Sequence, residues 1–191
     1  MKKWWQQMNR GVLLLFVAVL AVSIYLIFDG AEKKKDKAEL EEISAQFISD
    51  SSLYFTYPSD ETFWKTEEAL SEDDFADLMS VQAQSLSSYF CENEAVRDTQ
   101  LKYYYMFYAT SRENRLCPVV CSRIPLKIDV QEIYNDSATV VISTQTTIEF
   151  IDEEDSRKND VVTSDDTLLF LKLEGEWKLV SAQSEIINNL Y

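Results

Sequence analysis

Few residue types in this chain could do chemistry. It has three cysteines, 33 aspartates and glutamates, and no histidine. Without histidine there is no Ser-His-Asp or Cys-His nucleophile and no imidazole to ligate a metal. Cys117 and Cys121 frame a C-P-V-V-C run. That is not the two-residue spacing of a zinc site, and no further ligands accompany it. On a strand their Cα atoms would lie ~13 Å apart, too far to bridge, whereas a helical turn would let the sulfurs meet. In an oxidising compartment a Cys117–Cys121 disulfide is one reading, with Cys91 left as a thiol. The other is that the cysteines are small buried apolar side chains. A redox role would have only Arg115 or Arg123 as basic neighbours to activate a thiol.

Glycine excludes further classes. Gly11 and Gly30 flank an apolar segment, so Gly175 is the one glycine beyond it. Phosphate-cradling loops need several glycines close together, and the G-x-S-x-G nucleophile elbow is absent. No cofactor and no catalytic residue is expected, and the chain reads as a non-enzyme.

The carboxylates are clustered. Eight lie between Asp60 and Asp77, with only Lys65 among them, and seven lie between Asp152 and Asp166. Such runs are solvated faces or a dock for a basic partner. A loose divalent-cation site is the third option. Residues 152–160 do not fit a calcium loop, because Arg157 and Lys158 fall where its glycine turn belongs. The aromatic run 101–110, LKYYYMFYAT, reads as a strand, although its length also allows a helix. A strand would set Tyr103, Tyr105 and Phe107 on one face, as candidate pocket aromatics or as core.

The elements that must position these residues begin with residues 11–28, GVLLLFVAVLAVSIYLIF, which hold no charge. As a helix they would cover about 27 Å, enough for a hydrocarbon core. Trp4 and Trp5 precede them, where amphipathic aromatics favour the membrane interface. Lys2, Lys3 and Arg10 form a basic n-region, and no small-x-small cleavage pair follows, so the segment reads as an uncleaved signal anchor. A short basic tail (1–10) inside and the remainder outside the cytoplasm is the expected topology. All 33 acidic residues and 15 of the 18 basic ones follow residue 28, a net charge of −18 that repels nucleic acid.

Past the anchor, Asp29-Gly30 suggests a break. A juxtamembrane helix follows within residues 29–50, with Leu40, Ile43 and Phe47 on one face. Residues 51–58 suggest a loop or short strand ending at Pro58. Asp60 to Leu70 could hold a short helical turn. Ser71-Glu72-Asp73-Asp74 is a capping box opening a helix to about Phe90. Ile124, Leu126, Ile128 and Val130 alternate as the buried face of a strand. Asn135-Asp136-Ser137 makes a turn, and residues 138–151 a second strand with Val140, Ile142, Ile148 and Phe150 on one face. A third strand covers 161–173, and its end, LLFLKL, is apolar on both faces. Glu174-Gly175 turns the chain into a fourth strand, 177–184, and a frayed tail. Helices followed by an antiparallel meander give an α+β domain over 51–191, with helices packed on a curved sheet of about four to five strands.

The closing segment TLLFLKLEGEWKLVSAQ resembles the last hairpin of nuclear transport factor two-like (SnoaL-like, cystatin-like cone) domains. The matching parts are the apolar strand 168–173, the turn Glu174-Gly175-Glu176, the pair Trp177-Lys178 and the strand start Leu179-Val180. One membrane anchor followed by such a domain is similar in layout to channel subunits of bacterial conjugation and type IV secretion. That resemblance implies a single-pass envelope protein, its acidic extracytoplasmic domain binding or assembling with other envelope proteins of basic surface. The alternative is a ligand-binding or enzymatic cone with an aromatic-lined pocket; an Asp-Tyr pair would be its remaining catalytic option.

Overall fold

The structure, a computed structural model, describes residues 10–57, 61–64, 70–80, 84, 86–92 and 94–189, and side chains outside 10–17, 24–29, 61–62, 94–98 and 186–189. It has two compact units, Met1–Glu39 and Leu40–Tyr191. Helix α1 is continuous over Arg10–Asp50, so the expected break at Asp29-Gly30 does not occur. A lone glycine inside a helix costs only about 1 kcal/mol relative to alanine, too little to interrupt a long helix. The backbone over 11–28 is helical. Its side chains at 11–17 and 24–28 lie outside the described residues, as do Lys2, Lys3, Trp4 and Trp5. Among the described residues, no helix is long and apolar enough to cross a membrane.

In the second unit, Leu40 and Phe47 are buried as the helical period requires. A 3-10 turn at Ser51–Phe55 replaces the expected loop or strand. Ser51, Tyr54 and Phe55 all face inward from it. Short helices follow at α2 (Glu61–Trp64) and α3 (Glu72–Leu78). Ser71 caps α3: its hydroxyl accepts from the Asp74 amide at 3.2 Å and donates to the Asp74 carboxylate at 2.7 Å. The helix expected to reach Phe90 is interrupted: α3 ends at Leu78 with a turn at Met79, helical backbone recurs at residues 80, 84 and 86, and a 3-10 turn occupies Ser87–Tyr89. Residues 65–69, 81–83 and 85 lie outside the described residues.

Residues 101–110 are helical, not a strand, within α4 (Glu94–Glu113). Gln100, Tyr104, Tyr108 and Ser111 are its buried positions among the described side chains. Their spacing of four, four and three is the period of a helix face, which outweighs the aromatic strand propensity.

Four antiparallel strands follow as a meander in the order β1-β2-β3-β4: β1 (Leu116–Tyr134), β2 (Ser137–Asp152), β3 (Arg157–Leu173) and β4 (Glu176–Asn189). The α+β class and the curved four-stranded sheet agree with the sequence. Glu174 and Gly175 both take positive φ (53° and 89°), the backbone a two-residue hairpin needs. β1 starts eight residues before Ile124 and tolerates Pro118 and Pro125 because it is an edge strand. β4 runs on past Ser184 into the expected tail, as far as Asn189.

The phase of β1 also differs from expectation. Bulges between Pro118 and Val120 and between Pro125 and Lys127 shift its register. Ile124 and Leu126 are therefore exposed, while Arg123 is buried. On β2, Val140, Ile142 and Ile148 face the core and Phe150 is half-buried. The end of β3 is apolar on both faces but buried on one: Leu168 and Phe170 face the core, and Leu169, Leu171 and Leu173 are exposed.

Candidate functional site

The sheet's inner face carries a polar centre within an aromatic core. Arg123 enters from β1, placed inward by the register of that strand before the Pro125 bulge. Asp166 enters from β3 in phase with Leu168 and Phe170. The two residues are 6% and 2% exposed. The guanidinium donates to the Asp166 carboxylate at 2.8 Å, to the Ser51 hydroxyl at 2.6 Å and to Thr146 Oγ1 at 3.4 Å. It also lies 5.3 Å from the Phe55 ring centroid. The carboxylate accepts further bonds from Ser164 (3.4 Å) and from Ser184 of β4. Burying two charges is tolerable only with this degree of pairing and hydrogen bonding.

Tyr104 of α4 packs nearby, stacked on Tyr54 with ring centroids 4.1 Å apart. Burial pushes its phenol above the ordinary tyrosine range, opposed by the positive charge of Arg123 and by a hydrogen bond with Gln100. Thr144, which pairs with Ser164 across β2 and β3, is fully buried, and its hydroxyl has no hydrogen-bond partner among the described residues.

Ser184 links this centre to an open cleft of about 530 Å³. The cleft lies between Thr99, Gln100 and Tyr103 of α4 and residues 180–184 of β4. A smaller cleft, about 260 Å³, lies where α3 meets α4 and includes Glu72, Asp73, Lys102 and Tyr105.

The three candidate pocket aromatics do not share a face, because they sit on a helix. Tyr103 lines the larger cleft and Tyr105 the smaller one. The Phe107 ring packs edge-on against Phe55 at 4.9 Å. Cys117 and Cys121 lie on one strand, and none of the three cysteines is in a disulfide. Burial pushes the Cys121 thiol up to about 12, against a lowering effect from Arg123. In the second acidic run, Asp152 closes a turn by accepting from the amides of Ser156 (2.9 Å) and Glu154 (3.0 Å). Those bonds, that from Ser156 foremost, hold its carboxyl below the usual range. Among the described residues, no group of three or more carboxylates and thiols could hold a metal ion.

The Arg123–Asp166 pair was not among the sequence-derived candidates. Its signal is the phase of Asp166 with Leu168 and Phe170, which sets a charge on the core face of β3. Arg123 shows no such signal, because the bulge after it breaks the alternation.

No protein-family model and no curated protein matches the chain. Among solved structures, it is similar to a calcium/calmodulin dependent protein kinase II association domain from Xanthomonas campestris, at 18% identity and a TM-score of 0.29, over 48% of this chain and 56% of that one. The chain thus spans little more than half of that structure's length. It is also similar to the intermembrane space region of the chloroplast protein ARC6 (15% identity, TM-score 0.32, 61% and 98% covered). A third is the association domain of C. elegans CaMKII (16% identity, TM-score 0.29, 60% and 96% covered).

Proposed function

We propose that this chain is a single-pass membrane protein whose α+β domain lies outside the cytoplasm and binds other proteins without catalysing a reaction. The observation behind the non-catalytic reading is the closure of the polar centre. Asp166, the buried aspartate of that centre, already accepts from Arg123, Ser164 and Ser184 and is 2% exposed. A general base needs a substrate proton within hydrogen-bond reach, and this carboxylate is buried with three side-chain donors already on it. Three facts support the anchoring and binding parts. Residues 11–28 are an uncharged, helical stretch. The chain after residue 28 has a net charge of −18. The outer sheet face exposes Leu169, Leu171 and Leu173. The resemblance in layout suggests assembly within a bacterial envelope apparatus.

Two measurements test this. Alkaline phosphatase fused after Tyr191 should be active; fluorescence from a reporter that matures only in the cytoplasm would overturn the topology. Photo-cross-linking of the full chain in its native membranes should give a discrete protein adduct whose yield falls as salt rises. No adduct at low salt would overturn the binding role. The second reading, a ligand-binding cone, is favoured by Tyr103 at the larger cleft.

A further inference from the structure

β4 is an edge strand, with β3 on one side only. At one point its free edge is already used. Phe90 bridges Leu179 in parallel, and the Cys91 amide donates to the Leu179 carbonyl at 3.1 Å. The chain then turns away into α4 at Glu94. Beyond Leu179, no other backbone segment among the described residues pairs with the outer edge of β4. Along that stretch, residues 180–184 form one wall of the 530 Å³ cleft, and Thr99, Gln100 and Tyr103 form the other.

A free strand edge facing a helix across a groove is the arrangement that takes an extended peptide as an added strand. The dimensions suit it. Five residues of strand run for about 16 Å, and the cleft volume falls within the roughly 300–1,000 Å³ of ligand sites. The chemistry narrows the occupant. All eight lining residues are neutral, in a chain whose net charge after residue 28 is −18. Inside the groove, recognition therefore rests on main-chain hydrogen bonds and on amide, hydroxyl and Tyr103 contacts. Outside it, the field of the domain selects for positive charge.

We infer that this cleft is a docking groove for an extended segment of a partner protein, uncharged where it lies against residues 180–184 and basic in its flanks, which adds to β4 as a fifth strand. The inference rests on the binding-module reading and names the surface that reading leaves open.

The test uses the full chain in nanodiscs, panned with a phage library of random twelve-residue peptides. Enriched peptides should carry Lys or Arg on both sides of a neutral centre. Their affinity should fall at least tenfold with Tyr103→Ala and with Gln183→Arg. Tyr103 and Gln183 are both exposed, and unchanged circular dichroism checks that each variant is folded. N-methylating the peptide one residue at a time should abolish binding at every second position only, the signature of strand addition. The inference is overturned by a flat N-methyl scan, by no enrichment over empty nanodiscs, or by peptides indifferent to both substitutions. It is also overturned if neutral saccharides on a glycan array bind in a Tyr103-dependent way and displace the peptides, which makes the cleft a carbohydrate site. A cross-linked partner whose yield is unchanged in both variants removes the groove and leaves the binding role standing. Groove-dependent peptides without any cross-linked partner do the reverse.

Discussion

Arg123 of β1 and Asp166 of β3 meet at 2.8 Å although β2 lies between their strands in the sheet. The pair, with the Ser51 and Ser184 hydroxyls it engages, ties β1, β3, β4 and the Ser51–Phe55 turn to one point. Removing one charge leaves the other buried and alone. Arg123→Met should cost about 3–5 kcal/mol in urea unfolding of the full chain. Arg123→Met/Asp166→Leu should be less destabilised than Arg123→Met. A double variant as unstable as the sum of the single variants would show that the pair is not coupled.

Thr144 offers the opposite case. Its buried hydroxyl has no hydrogen-bond partner among the described residues, so the fold bears its desolvation cost without return. Thr144→Val keeps the branched shape and should raise stability by about 1 kcal/mol. A drop of that size would reveal a hydrogen bond to Thr144.

Trp177 closes the last hairpin from inside and is 2% exposed, with the Lys172 ammonium 5.3 Å from its ring. Trp177→Ala should cost about 3–5 kcal/mol, the range for large aromatic truncations in cores. An unchanged unfolding midpoint would contradict its place in the core.

The core tyrosines set an alkaline limit. Burial pushes Tyr54 up to about 12 and raises Tyr57 and Tyr104 as well, whereas in the unfolded chain tyrosine ionises near 10. The folded state thus holds protons that the unfolded state releases above pH ~10. Their contribution is complete below that pH and is lost progressively as pH rises toward the folded values. Unfolding midpoints should begin to fall above pH ~8.5, where the unfolded Cys121 thiol ionises, and should fall more steeply between 10 and 12, where the tyrosines add to it. Tyr54→Phe should make that fall shallower. Identical slopes in parent and variant would exclude Tyr54 as a contributor.

The sequence disclosed the meander well, because its signals are local. Asn135-Asp136 and Glu174-Gly175 are strong turns, and Val140, Ile142 and Ile148 alternate without interruption. The errors arose where two local rules compete. Tyr103, Tyr104 and Tyr105 favour a strand by type, but Tyr104 and Tyr108 bury together only on a helix. The polar centre was least legible. Asp166 sits in an acidic run that looks solvated, and Arg123 in a strand whose alternation points it outward. Their pairing depends on contacts 43 residues apart in sequence.

The bulge between Pro125 and Lys127 has a consequence for how this chain can vary. It works as a frame-correcting insertion, letting the first half of β1 face the core in one phase and the second half in the other. Leu126 is its unpaired residue: Pro125 faces Thr144 and Lys127 faces Ser143. Deleting Leu126 alone would restore a regular ladder with Arg123, Ile128 and Val130 still directed inward, whereas losing a residue from a paired stretch would turn one half of the strand over, because strand side chains alternate with a period of two. β1 can therefore shorten by one residue at the bulge but not within the runs on either side of it, and homologous chains should vary in length there first.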